Sequence, residues 1–273
     1  MPIDFSSPFT ERTPRVVNAA KLLRSAGRKK VDRFLAEGEN SVEAAVATGA
    51  ATDLFVTEKA AERFEAIVTA AGHMGVFVHP ITDRAAKSLS DTMTTTGIFA
   101  VCLPVLWSAR EALKGNPSLV CVAVETGEPG NAGTLVRVAD AMGADCVIFA
   151  GTTVDPQSPK AVRASAGSLF HIPVVREPDM QKVWQILRAR NVQMLATAAQ
   201  GEINLDTAGE LLEKPTAWLM GNEAHGLNDE ALSAADHSVR IPIRGRAESL
   251  NLATAASICM YESSKHKLTK KTE

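Results

Sequence analysis

The stretch LVCVAVETGEPGNAGTLVRVADAMGAD, residues 119–145, decides the fold. It opens with LVCVAVE, an apolar run unbroken as far as Glu125. Such a run suits a strand covered on both faces, because neither face then has to meet water. A glycine-bearing turn follows, and the spacing predicts a helix over 131–142. Strand, turn and helix make one step of a parallel α/β sheet. The same layout serves dinucleotide binding, so that chemistry has to be weighed first. Gly127, Gly130 and Gly133 have the spacing GxxGxxG rather than GxGxxG, and the next strand, DCVIFA, ends without an acid. Both features argue against a dinucleotide. Asn131 near the helix start is read as a cap or as something more. Arg137, flanked by Val136 and Val138, is an arginine of the kind that answers an anion or a carbonyl.

Toward the C-terminus the alternation continues. It runs through a helix near 158–168, the helix DMQKVWQILRARN, and the strands QMLATAA, TAWLMGN and HSVRIPI. The helix NDEALSAAD separates the last two strands, and a helix of small apolar residues closes the chain. A parallel sheet with helices on both faces is the expectation. Toward the N-terminus, Pro104, Gly115 and Pro117 break the periodicity and mark a linker or short helix over 104–117. Before it, strand and helix alternate again through RFLAEG, ENSVEAAVAT, DLFVTE, AAERFEAIVTAAG, VFVHPI and GIFAVCLPV. That gives a smaller α/β domain over 15–103, a larger one over 118–273, and a flexible start at 1–14 with three prolines.

Of the 273 residues, 45% are hydrophobic and 22% charged, enough apolar content for a sizeable core and too much for global disorder. The N-terminus lacks a secretion pattern, and no apolar run approaches a membrane span, so a cytoplasmic protein without membrane contact is expected. The four cysteines, Cys102, Cys121, Cys146 and Cys259, sit apart inside apolar runs, which suits reduced core thiols. The six histidines have no ligand spacing, and no metal is expected. A formal charge of −2 hides one asymmetry: Arg12, Arg15, Lys21, Arg24, Arg28, Lys29, Lys30 and Arg33 face the single acid Asp32. The cluster is read either as a phosphate-binding surface or as a solvated helix face.

Polar residues interrupt the second domain at three further places. In SPKAVRASAGSLF, Ser158 and Pro159 start a helix, small residues permit close approach, and Arg163 holds either a phosphate or a helix-end carbonyl. In WLMGNEAHGL, Gly221, Asn222 and Glu223 place a carboxylate at the carboxyl edge of a sheet, where ligands of open α/β folds sit. In RAESLN, Glu248, Ser249 and Asn251 crowd the start of the last helix, and capping explains only one of them.

Together these stretches resemble the three ordered motifs of the SpoU (TrmH) family of RNA ribose 2′-O-methyltransferases, within the SPOUT superfamily. The first is Asn131-Ala-Gly133 with Arg137. The second is Gly221-Asn-Glu223-Ala-His-Gly226-Leu227. The third is Ile241-Pro242, Gly245 and Ser249-Leu250-Asn251. Lys160 to Gly167 resembles the KxxRAS segment of the family, and the N-terminal unit is similar to an L30e-like substrate-binding domain. Ala224 stands where glycine is common, and Leu252-Ala253 where Val-Ser is frequent; neither falls on a residue expected to do chemistry.

The resemblance implies a C-terminal SPOUT-type fold with a trefoil knot, a homodimer, and S-adenosyl-L-methionine as cofactor. It implies cofactor contacts at Leu195, Gly221, Ile241 and Leu250, largely through backbone groups. The implied catalytic set is Asn131, Arg137, Glu223, Ser249 and Asn251, with Glu223 as the carboxylate partner of Arg137. RNA contact is expected at Arg15, Arg24, Arg28, Lys29, Lys30 and Arg163. Ribosomal RNA is the expected substrate. Transfer RNA, or a non-catalytic RNA-binding role, is the alternative.

Overall fold

A computed structural model describes residues 3–268, with side chains through His266. Most of the basic run KHKLTKK, from Lys267 on, therefore lies outside the described side chains. The chain divides into two compact units, residues 1–105 with 157–171, and residues 106–156 with 172–273.

The first unit opens with a helical stretch: α1 (Pro14–Ala20), a 3-10 turn (Lys21–Leu23) and α2 (Ser25–Val31). Then come β1 (Phe34–Glu37), α3 (Glu39–Ala47), β2 (Ala51–Val56), α4 (Glu58–Arg63), α5 (Glu65–His73), β3 (Phe77–Pro80), α6 (Asp83–Ser88) and β4 (Ile98–Cys102). The four strands stand in the order β1-β4-β2-β3. β4 is antiparallel to both of its neighbours, whereas β2 and β3 are parallel, so this sheet is mixed. Val16, Leu22, Leu35, Phe55, Ile81, Leu89 and Phe99 pack into one core beneath it. The segment read from sequence as a flexible start is tied to this core. Phe9 N–H donates to the Pro80 carbonyl at 2.8 Å, and the Phe9 ring stacks on His79 at 5.4 Å.

The second unit runs through β5 (Leu106–Trp107), α7 (Ala109–Ala112), β6 (Leu119–Val124), α8 (Pro129–Ala141) and β7 (Cys146–Ala150). α9 (Pro159–Ser165) groups with the first unit, where it packs on β1. The second unit resumes with β8 (Val174–Glu177), α10 (Met180–Ala189), β9 (Gln193–Thr197), β10 (Ile203–Asn204), α11 (Gly209–Leu212), β11 (Thr216–Met220), α12 (Asp229–Ala234), β12 (His237–Arg240) and α13 (Leu252–Leu268). Its eight strands take the order β10-β12-β9-β11-β6-β7-β8-β5, and every pairing is parallel. Residues 106–112, within the stretch read from sequence as a linker or short helix, supply the edge strand β5 and the short capped helix α7.

Strand periodicity sorts the side chains of the sheet to two faces. Val120, Val122 and Val124 of β6 join Trp184 and Leu187 of α10 and Ala231 of α12 in one core. On the opposite face α8 and α13 pack on β6 and on each other. Trp218 of β11 is fully buried there and donates its indole N–H to Ser263 Oγ of α13 at 2.8 Å. All four cysteines are buried and free. Because burial penalises the thiolate, it pushes the Cys121 thiol up to about 12 and raises the other three as well.

Candidate active site

The carboxyl ends of β6 and β11 are neighbours, since Met220 registers with Ala123. Two loops therefore leave the sheet side by side. The loop after β6 starts at Glu125, whose φ of 52° is left-handed, and leads into α8 at Pro129. Proline at the first helical position fits because its missing N–H would have had no helical partner. Glu128 is the N-cap: its Oε2 accepts from Asn131 N–H at 2.6 Å. The helix thus begins two residues earlier than periodicity suggested, and its cap is Glu128 rather than Asn131. The Asn131 side chain is free for other work.

The loop after β11 closes on itself. Asn222 and Gly226 exchange backbone hydrogen bonds at 2.8 and 2.9 Å, and Gly226 has φ of 71°. A Cβ on Gly221 would overlap the Gly226–Leu227 peptide, so this turn requires glycine there. Glu223 projects from the loop toward the start of α8. Its Oε2 accepts from Gly127 N–H at 3.1 Å, and its Oε1 accepts from Glu128 N–H at 3.3 Å and from Asn131 Nδ2 at 3.0 Å. Burial raises the Glu223 carboxyl, but these donors outweigh it and hold the group below its ordinary value. The dinucleotide alternative loses further ground here, because the helix N-terminus that would take a pyrophosphate is filled by the protein's own carboxylate.

The third participant arrives from the segment after β12. Asn251 Nδ2 donates to Asn131 Oδ1 at 3.1 Å. Asn251 Oδ1 accepts from Ala253 N–H at 2.9 Å and from Thr254 N–H at 3.4 Å, so the same side chain caps α13. Capping and reaching across are one arrangement. Asn131, 92 residues from Glu223 and 120 from Asn251 in the chain, joins them in a single hydrogen-bonded line. Each amide donates on one side and accepts on the other, which fixes its orientation.

Two expected members stand apart from that line. Ser249 is exposed and makes no hydrogen bond among the described residues. Arg137 is exposed on α8, and its expected partnership with Glu223 does not form within one chain. Six residues of helix carry Arg137 roughly 9 Å along the axis and about 240° around it from Asn131. The Glu223 oxygens are meanwhile taken by Gly127, Glu128 and Asn131.

Of the expected cofactor contacts, Gly221 follows β11 directly and is buried. Ile241 and Leu250 line an open cleft of about 440 Å³ with Leu205, Ile258, Asp206 and Glu262. Leu195 is placed differently: it lies mid-strand in β9, registered with Trp218 on one side and His237 on the other, and its side chain is buried. Its backbone belongs to the sheet, and the exit from β9 begins only after Thr197.

The basic residues of the first unit also divide. Arg24, Lys29 and Lys30 are exposed. Arg28 is not available to RNA: it is 7% exposed, and its Nη1 donates to the Leu22 and Leu23 carbonyls at 3.0 and 3.2 Å. Arg163 is engaged by Asp91 at 2.5 Å and by the buried Glu37 at 3.3 Å, so its charge is met within the unit. Arg15 is about half exposed and shares Asp53 with His79. Among the described residues, no group of His, Cys, Asp or Glu has the arrangement to hold a metal ion, and no helix is long and apolar enough to cross a membrane.

Glu125, Glu128 and Asn228 were not singled out from the sequence, and Asn222 was read only for its place at the sheet edge. Asn222 Nδ2 donates to the Glu125 carbonyl at 2.6 Å, and Asn228 Nδ2 donates to Glu125 Oε2 at 3.0 Å. The Glu-Pro pair at 128–129 was a helix-start signal that could have found Glu128. The role of Glu125 had no local signal.

Residues 118–261 match the model of the SpoU rRNA Methylase family, and residues 13–100 match that of an MRM3-like substrate binding domain. Among curated proteins, the chain is 32% identical over 254 residues to the 23S rRNA (guanosine(2553)-2′-O)-methyltransferase RlmP of Bacillus subtilis, covering 92% of this chain and 96% of that one. It is 38% identical over 149 residues to the 23S rRNA (uridine(2479)-2′-O)-methyltransferase of Streptomyces viridochromogenes, covering 53% of this chain and 51% of that one. Among solved structures, the AdoMet-bound rRNA methyltransferase from Sinorhizobium meliloti superposes with a TM-score of 0.82 at 30% identity, covering 93% of this chain and 95% of that one.

Proposed function

The chain belongs to the SpoU rRNA methylase family, and from that premise we propose that it transfers a methyl group from S-adenosylmethionine to a ribose 2′-hydroxyl of ribosomal RNA. The observation that carries this reading is the line Glu223–Asn131–Asn251, which brings polar residues of all three motifs to one place. The residues fit the cofactor. Ile241, Leu250, Leu205 and Ile258 offer apolar walls, and Asp206 and Glu262, paired with Arg244 and Lys265, add charged groups at the same cleft. S-adenosylmethionine, when bound, supplies a methyl group already made electrophilic by its sulfonium.

The protein's share of the work is alignment and management of the hydroxyl proton. Glu223 holds Asn131, Asn131 holds Asn251, and the paired amides offer fixed groups to orient a ribose. Ser249, solvent-facing beside Asn251, contributes a hydroxyl to the same substrate. Arg137 stabilises the developing alkoxide or clamps the adjacent phosphate, since a guanidinium with a pKa above about 12 is a poor proton acceptor. Because Arg137 faces away from its own cluster, it serves the cluster of a second copy. The homodimer this requires uses the outer face of α13, where Tyr261 is 54% exposed, and nearby Ile243, 39% exposed. The trefoil knot, a cytoplasmic location and RNA contact by Arg15, Arg24, Lys29 and Lys30 belong to the same reading.

Incubation with labelled S-adenosylmethionine and naked rRNA, assembled subunits or tRNA, followed by alkaline hydrolysis, tests the proposal. A single resistant linkage in rRNA that vanishes with Arg137→Ala is expected. Label in tRNA alone moves the substrate to tRNA, and no transfer to any RNA despite cofactor binding removes the enzymatic reading.

A further inference from the structure

We infer that Glu125 is a positioning residue that sets Glu223 in place, a role resting on the proposed reading of the site. Glu125 is one of only a few non-glycine residues with positive φ among those described, at 52°. A residue with a Cβ adopts that conformation at a cost, and such strain persists only where the surroundings impose it. Here the surroundings are specific. Glu125 N–H donates to the Ala150 carbonyl at 3.0 Å, which anchors it to β7. From that anchor it holds the Glu223 loop at both ends: its carbonyl accepts from Asn222 Nδ2 at 2.6 Å, and its Oε2 accepts from Asn228 Nδ2 at 3.0 Å.

Both asparagines use their other amide atom on nearby backbone, Asn222 within the loop and Asn228 at the start of α12. Asn222 Oδ1 accepts from Ala224 N–H at 2.8 Å, and Asn228 Oδ1 accepts from Ala231 N–H at 2.9 Å as the N-cap of α12. Neither can turn over without losing a bond. The left-handed φ lets one residue present its carbonyl and its carboxylate to opposite ends of a seven-residue loop. Glu223, at the loop's second link, then reaches Gly127, Glu128 and Asn131 without further adjustment. The fold also makes room for this side chain. A Cβ on Gly151, φ 80°, would stand 3.1 Å from Glu125 Cγ.

The test compares Glu125→Gly, Glu125→Gln and Glu223→Ala in the methyl-transfer assay, with melting temperature and S-adenosylmethionine affinity measured alongside. Glu125→Gly removes the carboxylate and also the backbone strain, so it should melt no lower than the parent while kcat falls roughly tenfold, the scale of a misplaced catalytic group. Cofactor affinity should stay within about twofold. Glu125→Gln keeps an oxygen for Asn228 and should restore kcat to within roughly threefold of the parent. In the Glu223→Ala background, Glu125→Gly should cost less than about twofold more, because two residues acting through one interaction are not additive. A Glu125→Gly enzyme with unchanged kcat, or an additive double mutant, overturns the inference. Full activity of Glu223→Ala itself would instead overturn the reading of the site.

Discussion

Arg28 and Lys29 are adjacent and carry the same charge, yet the fold gives them opposite duties. Arg28 turns inward to two helix-end carbonyls, while Lys29 stays in water. Arg28→Ala strands buried carbonyls and should destabilise by about 1–3 kcal/mol, read from urea denaturation. Lys29→Ala with Lys30→Ala should leave that midpoint alone and weaken RNA binding, with a shallower dependence on salt because fewer counterions are released. Glu223 carries a pH signature. Its folded carboxyl lies below the ordinary 4.5, so its contribution to stability is complete above that value and fades as pH falls through the lower folded one. Glu223→Gln should therefore melt below the parent at neutral pH, and the difference should close in acid. At this scale sequence legibility was uneven. Asn131, Glu223 and Asn251 were readable because polar residues at sheet ends and helix starts are anomalies. Arg28 and Arg163 were misread because burial and carboxylate neighbours are decided by parts of the chain far from them. Arg137 was read as the partner of Glu223, a pairing that helical rotation prevents.

Elements were more legible than residues. β6, β7, β9 and β11 were visible as apolar runs, because a sheet covered on both faces leaves no polar alternation, whereas β8, with the sequence VVRE, was not read as a strand. The two-residue strands β5 and β10 carry too few residues to show a period. The antiparallel course of β4 in the first unit was equally hidden, since periodicity reports which face a residue takes and not which way its strand runs. The docking of α13 rests on a contact that can be isolated. Trp218→Phe removes the indole N–H and leaves the fully buried Ser263 hydroxyl unpaired, a loss of about 1–3 kcal/mol. Trp184, equally buried on α10, has no hydrogen-bond partner for its indole N–H among the described residues. Trp184→Phe should therefore destabilise less than Trp218→Phe, and chemical denaturation of the two variants decides the order.

At the scale of the whole molecule, the division into two units follows contacts rather than the linear order of the chain. Residues 157–171, read from sequence as part of the larger domain, group with the smaller one. Sequence periodicity has no means of showing this, because a segment that changes companions keeps its own local pattern. The oligomeric state belongs to this scale too. Light scattering should give twice the 29.0 kDa chain mass, and substitution of the exposed Tyr261 by Glu should shift it toward one chain.

The four sealed thiols give the molecule a built-in stopwatch. With burial suppressing the reactive thiolate at every native cysteine, a thiol reagent has no target until the cores open. The pace of labelling at Cys102 would report the first unit, and labelling at Cys121, Cys146 and Cys259 the second. A single cysteine engineered on the surface would then take a fluorophore alone, so that RNA docking could be watched by light without stripping the natural sulfurs from the chain.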